Sequence, residues 1–152
     1  DEAFGFIDGR LLALIFGMLI VGAGLQSSGA VEVMVGWVAP YLLGLPGWAL
    51  ILAVYLIAGV LTELVSNNAV AVIMTPVAIG LAQTMGVDAR PLVVAVMFAA
   101  SAAFATPIGY QTNTLVYGPG GYHFADFLRV GVPLNLLMAA TVTTVVPFLW
   151  PL

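Results

Sequence analysis

Two polar interruptions break an otherwise apolar chain: Thr62-Glu63-Leu64-Val65-Ser66-Asn67-Asn68 and Thr106-Pro107-Ile108-Gly109-Tyr110-Gln111-Thr112-Asn113-Thr114. Both consist mainly of neutral amides and hydroxyls, whereas ordinary loops between membrane spans reach water and collect charge. Such side chains offer oxygens without the desolvation cost of a fixed charge, and hard cations favour oxygen ligands. A helix interrupted here also frees N–H groups suited to an anion and carbonyls suited to a cation. Irregular backbone persists at membrane depth only where protein buries it or it lines a cavity. Broken helices of this kind mark midplane binding sites in secondary transporters. No Arg, Lys or His lies within the charge-free stretches, so a bound anion would be balanced by co-bound cations and helix N-termini. The residue types point to anion transport coupled to a hard cation, Na⁺.

Each interruption taken alone has a plainer reading. Asn67 or Asn68 can cap a helix beginning at Ala69, as Asn commonly does. The run from Thr106 to Thr114 can be a Pro/Gly turn between short apolar segments. Two interruptions of the same chemistry in one short chain shift the balance toward a binding site. Glu63 is flanked on both sides by long apolar windows, and intramembrane carboxylates are candidates for proton relays. It can equally bond freed backbone or pair with a residue outside the chain. His123 reads as an exposed interfacial residue, and Asp126 with Arg129 as a weak surface pair three residues apart. Tyr117, Tyr122, Phe124 and Phe127 read as an interfacial aromatic belt. No nucleophile–base set, metal-ligand cluster or phosphate loop supports catalysis.

The elements that must position these residues follow from composition. Of 152 residues, 62% are hydrophobic and 7% charged, far from the roughly one quarter charged that is usual in soluble domains. The chain is an all-α membrane protein. With three Arg, no Lys and a net charge of −4, it cannot match nucleic-acid phosphates. The absence of Cys removes disulfides and thiolate chemistry. The first residue is Asp1, with no leader pattern before the first apolar run, so the chain is expected to be part of something longer.

Charged residues divide the sequence into apolar windows at 11–31, 33–62, 64–87, 91–122 and 130–152. The first is long enough to span, and 30–44, with Trp37 and Tyr41, reads as an interfacial segment. Residues 1–45 thus form one unit, a span plus its interfacial link. The remainder, 46–152, holds a hairpin (46–85), a broken helix (91–117) and a last span (124–152). Ala95, Ala99 and Ala103 recur at four-residue spacing, a small face for tight packing, and Pro133 and Pro147 lie near the ends of the last span. A re-entrant hairpin gives three crossings and a spanning one five, so the termini face opposite sides. Counting Arg residues places Arg10 and Arg129 in the cytoplasm and the C-terminus outside.

The residues TELVSNNAVAVIMTPVAIGLA (62–82) and ASAAFATPIGYQTNTLVYGPGGYHFADFLRVGVPLNLL (100–137), with FGMLIVGAGLQSSGA (16–30), resemble the carboxy-terminal half of divalent anion:sodium symporters of the ion transporter superfamily. That resemblance covers nearly the whole chain. It implies two inverted repeats, each with a re-entrant hairpin and a broken helix, this chain being the second repeat of an elevator-type homodimer in a bacterial-type inner membrane. The family's Ser-Asn-Thr tip falls on Ser66, Asn67 and Asn68, and its broken-helix Asn on Asn113. By that resemblance Ser66, Asn67, Thr106, Gly109 and Asn113 bind sodium, while Ser66, Asn67, Asn68, Gln111, Thr112 and Asn113 face the substrate. Asn68 replaces the usual Thr, and GYQT replaces a more Pro- and Thr-rich run, which leaves sulfate or another small oxyanion open beside a dicarboxylate. The GYQTN form resembles permeases carrying TrkA-C domains. The implied partners are a small anion, Na⁺, the bilayer and the missing amino-terminal half, with no cofactor. Two other readings stay open: proton-coupled oxyanion transport through Glu63, and a non-transporting membrane fragment.

Overall fold

The computed structural model describes residues 9–151, and the start of the 1–45 unit lies outside them. Seven helices follow one another among the described residues: α1 (Gly9–Ser27), α2 (Ala30–Leu42), α3 (Gly47–Leu64), α4 (Asn67–Met85), α5 (Arg90–Ser101), α6 (Gln111–Tyr117) and α7 (Phe124–Leu149). Three of them, α3, α4 and α7, are long and apolar enough to cross a membrane, and the protein is an integral membrane protein. At 1.5 Å per residue α3 and α4 each reach about 27–28 Å, close to the roughly 30 Å hydrocarbon core. Each hairpin arm thus has the length of a crossing, and length alone does not make the hairpin re-entrant. By contrast α5 and α6 extend only about 18 Å and 10 Å, so neither spans by itself.

The hairpin arms straddle α5, and each packs more extensively on α5 than on the other arm. Of the small face foreseen at Ala95, Ala99 and Ala103, the first two are buried on α5, while Ala103, also buried, falls beyond its end. Methyl-sized side chains let three helices meet closely where lipid supplies no hydrophobic force between them. Helix α7 lies against α3 and α5, while α1 and α2 lie against α4. Val31, Val35, Ala39 and Leu42 of α2 are buried, leaving Trp37 and Tyr41 exposed. Arg90 opens α5 with its N–H donated to Asp88 Oδ1 at 2.9 Å and Pro91 in the first turn, where a missing N–H costs nothing.

Several sequence expectations shift. Helix α4 starts at Asn67 and not Ala69, because Ser66 is its N-cap and accepts from Ala69 N at 3.4 Å. Only Val65 and Ser66 separate the arms. The broken helix interrupts at 102–110, four residues earlier than the polar run suggested, with Gln111–Asn113 already helical. Alanines hid that boundary, since Ala102, Ala103 and Ala105 favour helix intrinsically yet lie in the irregular stretch. Pro133 sits inside α7, not near its end. Asp126 does not pair with Arg129: its Oδ2 accepts the His123 backbone N–H at 2.7 Å and lies 3.7 Å from His123 Nδ1. A carboxylate in the first turn satisfies an orphan N–H more directly than a distant guanidinium.

Candidate functional site

Where α3 ends, Thr62 is fully buried and Glu63 is 9% exposed. Both reach across to the interrupted helix. Thr62 Oγ1 lies 2.8 Å from Ala100 O and 2.9 Å from Asn67 Oδ1. One hydroxyl proton cannot serve two acceptors. The contacts are all satisfied when the Asn67 amide is turned so that its NH₂ donates to Thr62 Oγ1, which in turn donates to Ala100 O. Thr62 thereby ties the tip of the hairpin to the last turn of α5.

The interruption at 102–110 has lost its helical hydrogen bonds, and side chains replace them, as buried backbone groups require. Ala105 N–H donates to Glu63 Oε1 at 2.8 Å. Thr106 Oγ1 donates to Glu63 O at 3.0 Å and accepts from Gly109 N at 3.0 Å. Asn113 Nδ2 reaches back to Ala103 O at 2.9 Å and Thr106 O at 3.1 Å, and Thr114 Oγ1 donates to Pro107 O at 2.6 Å. Gly109 packs on the hairpin so closely that a Cβ there would stand 2.9 Å from Thr62 O and 3.2 Å from Glu63 Oε2. Close backbone approach is the role observed for this glycine.

The foreseen residues thus divide into groups. Asn67 joins Thr62, while Thr106, Gly109 and Asn113 shape the interruption against Glu63. Ser66, Asn68, Gln111 and Thr112 are exposed. Asn68 lines a cavity of about 450 Å³ with Ala13, Gly17, Val21, Ala69, Val72 and Ile73, on the α1 side of the hairpin. Of the roles left open for Glu63, bonding freed backbone is the one realised within this chain. The contacts centre on the Thr62–Glu63 end of α3, one turn before the Ser66-Asn67-Asn68 tip.

Two residues on α7 escaped the sequence reading. Asn135 Nδ2 donates to Glu63 Oε1 at 2.7 Å across 72 positions of chain. One helical turn earlier, Gly131 brings α7 onto the interruption, where an added Cβ would fall 2.1 Å from Phe104 O and 2.5 Å from Ala105 Cα. The available signal was the lone amide Asn135 in a charge-free window, four residues after a glycine. Glu63 Oε2 and Asn135 Oδ1 are buried and have no partner among the described residues.

Comparison with known proteins agrees with this membrane architecture. Residues 1–151 match the family described as "CitMHS: Citrate transporter". An uncharacterized transporter of Synechocystis sp. is 43% identical over 141 residues, covering 90% of this chain and 22% of that protein. The uncharacterized transporter YfbS of Escherichia coli is 36% identical over 151 residues, covering 99% of this chain and 25% of its own length. Sodium/sulfate cotransporter 1 of Chlamydomonas reinhardtii is 38% identical over 88 residues, covering 58% of this chain and 10% of that protein. The chain spans about a quarter of the length of the first two relatives. With the family matched over 151 of 152 residues, the chain belongs to the CitMHS citrate transporter family, whose members are transporters and not enzymes.

Proposed function

We propose that this chain is the carboxy-terminal portion of a sodium-coupled symporter for a small divalent anion, a dicarboxylate or a sulfate-like oxyanion. The observation that carries the reading is the clamp between the end of α3 and the interruption after α5. There Thr62 and Glu63 bind Ala100, Ala105 and Thr106 beside a concentration of uncharged oxygens. Sodium is held by oxygens from Ser66, Asn67, Thr106, Gly109 and Asn113. The anion lies against Ser66, Asn67, Asn68, Gln111, Thr112 and Asn113, and the N-terminus of α4 contributes its positive end. Relatives named as sodium/sulfate cotransporters and a family described by citrate support sodium as coupling ion and an oxyanion as cargo. An amino-terminal repeat supplies the other half of the site, and the transporter works as an elevator-type homodimer with the C-terminus outside.

The test is uptake by the full-length transporter in proteoliposomes. Asn67→Ala and Asn113→Ala abolish sodium-stimulated uptake of the cognate anion; unchanged uptake and sodium dependence in both variants overturn the reading. A second reading, proton coupling through Glu63, draws on its buried, unpartnered Oε2. A Glu63→Gln variant with normal coupling in a pH-gradient assay removes it.

A further inference from the structure

We infer that Asn135 of α7 is a positioning residue for the sodium site, acting through Glu63 without touching the ion. This rests on the proposed function for its sodium readout, while its structural readout is independent of that function.

Within 102–110, most backbone groups that acquire side-chain partners are served from the broken helix itself, by Thr106, Asn113 and Thr114. Ala105 N–H is different, because its acceptor, Glu63 Oε1, belongs to the hairpin. Ala105 precedes Thr106, a proposed sodium ligand, so the carboxylate fixes the backbone from which that ligand projects. A Glu side chain has three rotatable bonds and does not hold an orientation unaided. Here Asn135 Nδ2 donates to the same Oε1 at 2.7 Å and holds it in place. With the donor gone, the Ala105 N–H alone holds Oε1, beside a cavity of about 220 Å³ lined by Tyr55, Leu56, Val60, Val132 and Leu136. Gly131 sets the distance that makes the contact possible, since it places the α7 backbone directly on Phe104 and Ala105. The chain of contacts runs from α7 through Glu63 to Ala105 and then to Thr106.

The experiment uses Asn135→Leu, similar in volume and lacking the donor, in the full-length transporter. Hydrogen exchange of the 102–110 peptide, read without sodium, accelerates at least about ten-fold relative to the α3 and α4 peptides, the lower bound for one lost bond to a charged group. In proteoliposomes the half-saturating sodium concentration rises about ten-fold while the maximal rate stays within two-fold. A residue serving stability alone lowers the melting temperature and leaves the sodium curve where it was. Asn135→Ser, too short to donate at 2.7 Å, reads the same quantities if the Leu variant is not recovered from the membrane. Asn135→Asp, which sets a second carboxylate against Glu63 Oε1 in place of the donor, moves both quantities in the same direction as the Leu variant.

Unchanged exchange in 102–110 overturns the positioning role whether or not sodium is the coupling ion. Accelerated exchange with an unmoved sodium curve overturns the link to the sodium site. A wild-type transporter without sodium dependence defeats the proposed function, and the exchange measurement still decides the contact.

Discussion

Replacing Gly131 with Ala tests the seam between α7 and the interruption most sharply. The added Cβ would lie 2.1 Å from Phe104 O and 2.3 Å from Phe104 C, about 1.3 Å inside the 3.4 Å at which ordinary contact begins. Both sides of the clash are backbone, so no rotamer change relieves it. Either α7 or the 102–110 segment must retreat by about 1 Å, the size of the overlap just given. Retreat of α7 in that direction draws Asn135 Nδ2 off Glu63 Oε1 from its 2.7 Å separation. Overpacking of this kind costs about 1–3 kcal/mol, and a lost bond to a charged group about 1.5–3 kcal/mol. The two overlap, so the destabilisation is about 2–5 kcal/mol. Thermal unfolding of the full-length transporter in detergent, with sodium-dependent uptake in parallel, measures it. A Gly131→Ala protein with wild-type melting and wild-type uptake refutes the close approach and with it the role given to α7.

Other perturbations follow from the same contacts. Thr62→Val keeps shape but strips the hydroxyl shared by Ala100 O and Asn67; the loss is about 1–3 kcal/mol by thermal unfolding, and Thr62→Ser recovers most of it. Ser66→Ala removes a long N-cap contact of 3.4 Å, so stability falls by no more than about 1 kcal/mol. A far larger loss of sodium-dependent uptake in the same variant marks Ser66 as a ligand, and a matched small loss marks it as a cap only.

The helical plan was legible because ten charged residues punctuate the apolar sequence and lipid forbids charge elsewhere. The alanine face of α5 was legible for a related reason, since four-residue spacing of small side chains has few other uses in a membrane. Boundaries were not. Ser66 as cap places Asn67 and Asn68 inside α4, a choice between three adjacent capping residues that propensity does not resolve. The interruption begins at Ala102 because Glu63 and Asn113 capture the Ala105 N–H and the Ala103 carbonyl, contacts that span 42 and 10 positions of chain. The polar residues after Ala105 announced an irregular stretch without revealing where the helix fails. Asn135 and Gly131 act on residues far away in sequence, and no local pattern separates them from helix-packing residues of the same type.

In the proposed transporter the hairpin tip and the interrupted helix meet at membrane depth around an ion. Single cysteines at Asn67 and Thr112, introduced into a transporter whose present segment has none of its own, report this directly through a membrane-impermeant thiol reagent. Slow labelling at both positions, slowed at least ten-fold further by sodium and not by potassium, is the predicted result. Rapid labelling at both, indifferent to sodium, would place them in ordinary turns at the membrane surface with no ion between them.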